Sequence, residues 1–243
     1  MEIMGKGVSP IQNLRFLKWC AQFGIRPHWG ILYGFPGEPR EEYARMAALI
    51  PSLIHLPPPK RLGRIRIDRF SPYHQDPGKH GLRLTGPGAR YLQIYPARLH
   101  RALEGLAYFF EHEHLDGRNP EDYAQDLRMA MAHWILPSPR PRSLDYRLGQ
   151  GFLSLRDRRD PDRIVEHLLD ELDAGIYLAC DAGATPEAIH KRLGAAMPVP
   201  EIRRRLEDWT DARLLFREGD RFLSLALPQN PDADGTDLPK ADG

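Results

Sequence analysis

Cysteine and long apolar runs are scarce in this sequence. Its two cysteines, Cys20 and Cys180, stand far apart, which gives neither a disulfide framework nor the spacing of a metal site. No apolar run approaches the roughly 20 residues that a membrane helix needs. The first residues, MEIMGKGVSP, lack the pattern of a signal peptide. We therefore expect a cytoplasmic protein that has no membrane partner.

The chain also lacks a charge bias. Its formal net charge is +1 over 243 residues, so no global attraction to nucleic acid or to an anionic membrane is expected, although a local basic patch stays possible. Hydrophobic residues make up 42% and charged residues 28%, as in ordinary folded proteins. This length allows one large domain or two small ones.

Proline is abundant, with 23 residues, and its clusters indicate boundaries. HLPPPKR cannot continue a helix, because consecutive prolines remove amide donors. LPSPRPRS favours extended backbone and is typical of a linker, and the last stretch has too few apolar residues to fold. The predicted organisation is an α/β segment at 1–88, a helical extension at 89–136, a linker at 137–142, a small α+β domain at 143–227 and a disordered tail at 228–243.

The first segment predicts helix, strand, helix and strand. Ser9 and Pro10 are typical of a helix start. IRPHWGILY predicts a buried strand, EPREEYARMAALIPSLIHL a helix, and RIRIDRF at 64–70 a second strand parallel to the first. The loop GFPGE then lies at the carboxyl end of the first strand, where α/β proteins bind ligands. Its glycines would let a flat or anionic ligand approach the backbone; the alternative is a plain tight turn.

The strand RIRIDRF places Arg66 and Asp68 on the face opposite its two isoleucines. Buried charges are costly unless they are paired or face a polar cavity. Because SPYHQDP follows and adds Tyr73 at the same end, we interpret Arg66, Asp68 and Tyr73 as substrate-binding residues of a cavity. The alternative is that Arg66 and Asp68 pair with each other on an edge strand.

These segments together resemble a known enzyme family. MGKGVSPIQNLRFLKWCAQFGIRPHWGILYGFPGE, IRIDRFSPYH and YLQIYP are similar to the radical SAM enzymes that mature ribosomally made peptides, in the cobalamin-dependent group called RiPP maturation radical SAM protein 1. The resemblance runs from about residue 3 to about residue 227. It implies an α/β fold, the C-terminal half of a partial (β/α)6 barrel, followed by helices and a small winged-helix-like domain.

Such enzymes hold a [4Fe–4S] cluster, S-adenosylmethionine and cobalamin, and commonly transfer a methyl group to a peptide carbon. By the resemblance, Gly34, Pro36, Gly37 and Glu38 lie near the adenosine part of S-adenosylmethionine. The cluster of the family is bound by three cysteines in a CxxxCxxC loop. This chain has neither that loop nor a cobalamin domain. We therefore predict no catalytic residue, no metal ligand and no radical chemistry by this chain alone.

The absence of the cysteine loop and of the cobalamin domain has two explanations. A separately encoded N-terminal half completes the barrel, or the sequence is a truncated or mis-started gene product. An incomplete barrel would leave a parallel sheet edge open, and open edges pair with available strands.

The middle of the chain predicts two helices, YPARLHRALEGLAYFFEHEHL at 95–115 and NPEDYAQDLRMAMAHWIL at 119–136. The cluster EHEH contains His112 and His114. On a helix, residues two apart point to different sides, so one metal ion cannot easily bind both. We therefore predict a solvated helix end there.

The C-terminal domain predicts a hairpin at 143–157, helices at 161–179, 185–194 and 200–211, and a second hairpin that turns at Gly219 and Asp220. This order indicates a winged-helix-like domain. LLDELDAGIYLACDAGATPEAIHKRL also resembles RRE-type peptide-recognition domains, which bind a leader peptide as an added strand.

Three consecutive arginines, Arg203 to Arg205, are the best case for DNA binding through a recognition helix. Acidic neighbours at Glu201 and Glu207 weaken a phosphate-binding field, so local ion pairs are expected instead.

The sequence thus favours the C-terminal part of a radical SAM peptide-maturation enzyme, with a ribosomal precursor peptide as partner. The second hypothesis is a non-catalytic module that binds the precursor peptide. The third hypothesis is a winged-helix DNA-binding protein, although nucleic acid is not an expected partner.

Overall fold

The computed structural model describes residues 7–160 and 162–229. The described chain is a mixed α/β protein with several small sheets, none of which closes into a barrel within those ranges. The helices are α1 (Pro10–Gln22), α2 (Glu41–Leu53), α3 (Pro72–Gln75), α4 (Ala89–Ile94), α5 (His100–Leu106), α6 (Pro120–Tyr123), α7 (Gln125–Ile135), α8 (Glu171–Ala179), α9 (Pro186–Arg192) and α10 (Val199–Asp211). The strands are β1 (Gly30–Tyr33), β2 (Arg61–Arg64), β3 (Ile67–Asp68), β4 (Leu82–Pro87), β5 (Phe109–His114), β6 (Leu144–Gly149), β7 (Phe152–Asp157), β8 (Val165–Asp170), β9 (Leu215–Glu218), β10 (Arg221–Ser224) and β11 (Leu227–Pro228).

The chain forms two compact units. The first contains Met1–Pro27, Ile50–Pro58 and Leu136–Gly243, and the second contains His28–Leu49 and Pro59–Ile135. This division differs from the boundary expected between residues 88 and 89, because β4 and β5 pair across that position. The expected tail at 228–243 lies outside the described residues from 230 onward, and Pro228 belongs to β11.

The second unit contains the predicted parallel β–α–β arrangement. Strands β1 and β2 are parallel, with Gly30 opposite Arg61 and Tyr33 opposite Arg64. The predicted second strand at 64–70 was wrong in its bounds. The parallel pairing ends at Arg64, and β3 belongs to another sheet, where it runs antiparallel to β5. The alternation of charged and apolar residues in RIRIDRF therefore spans two sheets, since Arg64 belongs to β2 and Ile67 to β3.

The other sheet of this unit has the order β3-β5-β4. The helix predicted at 95–115 was wrong in its second half, because α5 ends at Leu106 and β5 follows. The side chains of β5 alternate, with Phe110, His112 and His114 buried and the residues between them more exposed. This period of two is that of a strand, and pairing with β4 stabilises it. The helix predicted at 119–136 is present as α6 and α7.

The first unit contains a sheet of order β11-β6-β7-β8, followed by α8, α9, α10 and the hairpin β9–β10. Both predicted hairpins are confirmed. The helix predicted at 161–179 was wrong in its first half, where β8 pairs with β7. Helix α8 begins after Asp170, whose carboxylate accepts a hydrogen bond from the backbone N–H of Asp173 at 2.9 Å. The predicted start of α1 is confirmed by a reciprocal capping box between Ser9 and Gln12.

Replacement of the α8 cap tests where the strand ends and the helix begins. We expect Asp170→Ala to lower the free energy of unfolding by about 1 kcal/mol, because the backbone N–H of Asp173 loses its side-chain acceptor and the helix N-terminus loses a negative charge. Urea denaturation measures the change. The control Asp208→Ala, at an exposed position of α10, should leave the unfolding free energy almost unchanged. Equal stability of Asp170→Ala and the parent would contradict the cap.

Candidate functional site

The loop Gly34–Glu38 leaves the carboxyl end of β1 and is closed by its own groups. The Glu38 side chain is buried. Its Oε1 accepts hydrogen bonds from the Gly34 N–H at 2.8 Å and from the Tyr123 hydroxyl at 3.0 Å. The Gly34 N–H also lies 3.1 Å from the Tyr43 hydroxyl. The amide of Gly34 is therefore already bonded within the chain.

Packing requires glycine at position 34. Gly34 has φ +85°, and a Cβ there would lie 3.2 Å from Pro120 Cγ and 3.3 Å from Arg64 Cγ. Gly37 also has a positive φ, +77°, but a Cβ there would meet nothing within 4 Å. Of the residues predicted to contact S-adenosylmethionine, Gly37 is exposed, Pro36 is half-buried, and Gly34 and Glu38 are buried. The plain-turn alternative accounts for Gly34 and Glu38.

Two tyrosines keep the Glu38 carboxylate in place. Burial raises the pKa of the Tyr123 phenol to about 12, and the hydrogen bond to Glu38 adds to the effect. Burial likewise raises the pKa of Tyr43 far above its usual range, again with help from Glu38. Both phenols stay protonated at neutral pH, and the Tyr123 hydroxyl donates to the carboxylate.

A second network lies beside the first in this unit. The Tyr33 hydroxyl donates to Glu121, and Arg128 Nη2 donates to the Tyr33 hydroxyl at 2.9 Å and also to Glu121. The hydrogen bond from Tyr33, followed by that from Arg128, holds the pKa of Glu121 below its usual value. No local pattern in the sequence indicates either network, because the partners come from distant segments.

His112 and His114 lie side by side on β5, which corrects the prediction of a solvated helix end. Their side chains are only 6% and 7% exposed, and the ring centroids are 6.0 Å apart. On a strand, residues two apart face the same side, so the argument that separated them on a helix does not apply. Within the described chain the Nε2 atoms of both rings are buried and have no hydrogen-bond partner.

The surroundings of this histidine pair favour neutral rings. Burial lowers the pKa of His112 to about 4, and the nearby positive charge of Arg64 adds to this. Burial and Arg64 also lower the pKa of His114. Among residues 7–160 and 162–229, no group of three or more His, Cys, Asp or Glu side chains is placed to hold a metal ion.

The three residues predicted to bind substrate are only partly brought together. Arg66 Nε lies 2.7 Å from Asp68 Oδ1, and the Arg66 guanidinium lies 3.7 Å from the centre of the Phe109 ring. Both charged side chains are solvent-accessible beside the edge strand β3, which is the pairing stated above as the alternative. Tyr73 packs against a separate apolar cluster that contains Ile65. Their role in substrate binding stays a prediction.

Strand β8 of the first unit is a sheet edge. It pairs with β7 along all six of its residues and has no partner on its other side within the described chain. Leu169 is buried, while Leu168 is 74% exposed and Ile164, just before the strand, is 62% exposed. Arg156 pairs with Glu166 at 2.8 Å on the exposed face. The edge therefore presents free backbone groups between two exposed apolar side chains.

Two of the three arginines of α10 are engaged in local ion pairs, as expected. Arg203 pairs with Asp220 and Glu187, and Arg205 pairs with Asp173 and Glu201. Neutralisation of two arginines leaves a weak field for phosphate groups.

Comparison of this chain with protein-family models, curated proteins and solved structures finds no match. None of the helices in the described ranges combines the length and the apolar character of a bilayer-crossing segment.

The pH dependence of the unfolding free energy tests whether the buried histidine rings are neutral. A histidine with a lowered pKa in the folded state binds fewer protons than in the unfolded state, so stability is lost as pH falls from about 6.5 through about 4. We expect His112→Leu to reduce this loss, as measured by urea unfolding at a series of pH values. The control His28→Leu, at an exposed histidine, should retain the parental pH dependence. An unaltered pH dependence in His112→Leu would contradict a neutral, buried ring.

Proposed function

We propose that this chain is the peptide-recruiting C-terminal part of a radical SAM peptide-maturation enzyme, and that it binds the ribosomal precursor peptide as an added strand on β8. The observation that carries the proposal is the open edge of β8. An extended peptide that adds to such an edge gains main-chain hydrogen bonds, while alternate side chains give specificity.

The character of the edge supports a peptide with apolar residues. Natural edge strands are commonly protected by lysine, proline, a bulge or a covering element. The described part of β8 pairs regularly with β7 and contains neither lysine nor proline. Ile164 and Leu168 lie on one face, four residues apart, and can contact alternate side chains of an added strand. The acidic Asp170 at the end of the strand favours a basic residue in the peptide.

The second unit supports the enzymatic part of the proposal through its parallel β1–α2–β2 arrangement. Strand β1 pairs with β2 alone within the described chain, whereas parallel sheets are normally extended and covered on both faces. Leu32 of β1 is exposed. We propose that the free edge of β1 receives a further strand of the barrel.

The cofactors of the family fit this chain unequally. A [4Fe–4S] cluster does not fit, because the only cysteines are Cys20 and Cys180, both with buried side chains, and three thiolates are needed. Contact of the loop with S-adenosylmethionine fits at the open side of Gly37 rather than at Gly34, whose amide is bonded internally. Radical chemistry therefore requires cluster ligands that this sequence does not contain.

The test of peptide binding uses a fluorescein-labelled synthetic leader peptide that has apolar residues at alternate positions and a basic residue beside them. We expect saturable binding by anisotropy, and a loss of about tenfold in affinity, about 1.4 kcal/mol, for Leu168→Lys, because a charge at the edge blocks strand addition. The matched control is Leu148→Lys, which changes a leucine that is 60% exposed on β6, away from the edge.

Three outcomes decide the proposal. Loss in Leu168→Lys with retention in Leu148→Lys supports binding at β8. Equal loss in both variants, or no saturable binding by the folded parent, contradicts it.

A further inference from the structure

A cleft in the first unit belongs to none of the sites above. Its volume is about 350 Å³, which is within the range of small-molecule sites. It lies beside β6 and β11, at the end of the sheet opposite to β8. Its polar lining consists of His55, Arg142, Ser143, Asp145, Arg158 and Gln229.

His55 supplies a hydrogen-bond acceptor of fixed position. Its Nε2 lies 3.0 Å from the backbone oxygen of Leu225. Because a carbonyl oxygen can only accept, Nε2 carries the proton and Nδ1 presents a lone pair. Burial lowers the pKa of His55 to about 3, so the ring stays neutral. In the described chain Nδ1 is buried without a hydrogen-bond partner, which leaves an acceptor that lacks a donor.

Arg158 supplies a cation without a carboxylate partner among the described residues. Its backbone N–H donates to the Ser143 oxygen at 2.7 Å, and this bond fixes the start of the side chain. The Nε atom of Arg158 is buried and has no partner in the described chain. A guanidinium cannot lose its charge at neutral pH, and its planar fork matches a carboxylate. Arg142 adds a second guanidinium to the lining.

Asp145 supplies the opposite charge. One of its oxygens, Oδ2, accepts a hydrogen bond from Ser143 Oγ at 2.7 Å, which orients the carboxylate in the lining. The cleft therefore combines cationic donors, one anionic acceptor and one neutral acceptor. A metal cation would be repelled by the two arginines. A simple anion would supply no donor to His55 Nδ1 and would be repelled by the Asp145 carboxylate.

We infer that this cleft binds a small zwitterion of the amino-acid or short-peptide class, with its carboxylate at Arg158, its ammonium group at Asp145 and an N–H donor at His55 Nδ1. Such a ligand satisfies each of the three groups at once. The inference is independent of peptide addition at β8, because it involves the other end of the sheet.

Glycylglycine is the probe, because it carries an ammonium group, an amide N–H and a carboxylate. We expect saturable chemical-shift changes in a titration of the full chain followed by NMR. N-acetylglycine lacks the ammonium group, glycinamide lacks the carboxylate, and each should bind at least about tenfold more weakly. Inorganic phosphate should not compete. Binding of phosphate as tight as that of glycylglycine would identify a plain anion site and overturn the inference.

Substitutions in the cleft test whether glycylglycine binds there. Arg158→Met should weaken glycylglycine binding about tenfold. The control Arg156→Met removes a nearby arginine that pairs with Glu166 and does not line the cleft, and this variant should retain binding.

If Arg158→Met does not fold, His55→Gln serves instead. The glutamine amide can still donate to the Leu225 backbone oxygen, while the acceptor Nδ1 is lost. Failure of the folded parent to bind, or equal loss in Arg156→Met, overturns the inference. The Leu168→Lys variant should bind glycylglycine normally, which separates this test from that of the precursor peptide.

Discussion

A strand with a neighbour on only one side leaves half of its backbone hydrogen-bonding groups without partners, and this constraint governs both units. In the first unit, β8 ends a sheet whose inner face buries Leu153 and Leu155, and its outer edge has no strand partner in the described chain. In the second unit, β2 is the one strand among residues 7–160 and 162–229 that pairs with β1. The proposed functions follow from what each edge can accept: a peptide at β8 and a further barrel strand at β1.

The loop after β1 shows how a recognisable motif can have a structural role. Glu38 is buried, and an unpaired buried carboxylate would be costly, yet it receives donors from Gly34 and Tyr123. These bonds fix the loop in the described chain. A ligand at this end of β1 would contact the exposed side of Gly37, and the buried groups would act by holding the loop in position.

Local signals predicted local structure well. Ser9 and Pro10 start α1, and the glycine turns of both hairpins are where the sequence indicates them. The errors occurred where pairing with distant residues decides between helix and strand. FFEHEH has the period of a strand, but it follows a helical pattern, and only its pairing with β4 makes β5. The same holds for β8, whose pairing with β7 overrides an apolar spacing compatible with a helix. The partners of Glu38 and the lining of the cleft could not be predicted, because they join segments far apart in sequence.

The most direct test of the central claim is hydrogen exchange of the backbone amides, measured by mass spectrometry with and without the leader peptide. Strand addition predicts that exchange in Val165–Asp170 slows by about tenfold or more when the peptide binds, because free amides of the edge become hydrogen-bonded. The hairpin at 215–224 serves as the internal reference and should exchange at the same rate in both samples. Slowed exchange confined to other segments, with β8 unchanged, would contradict peptide binding at this edge.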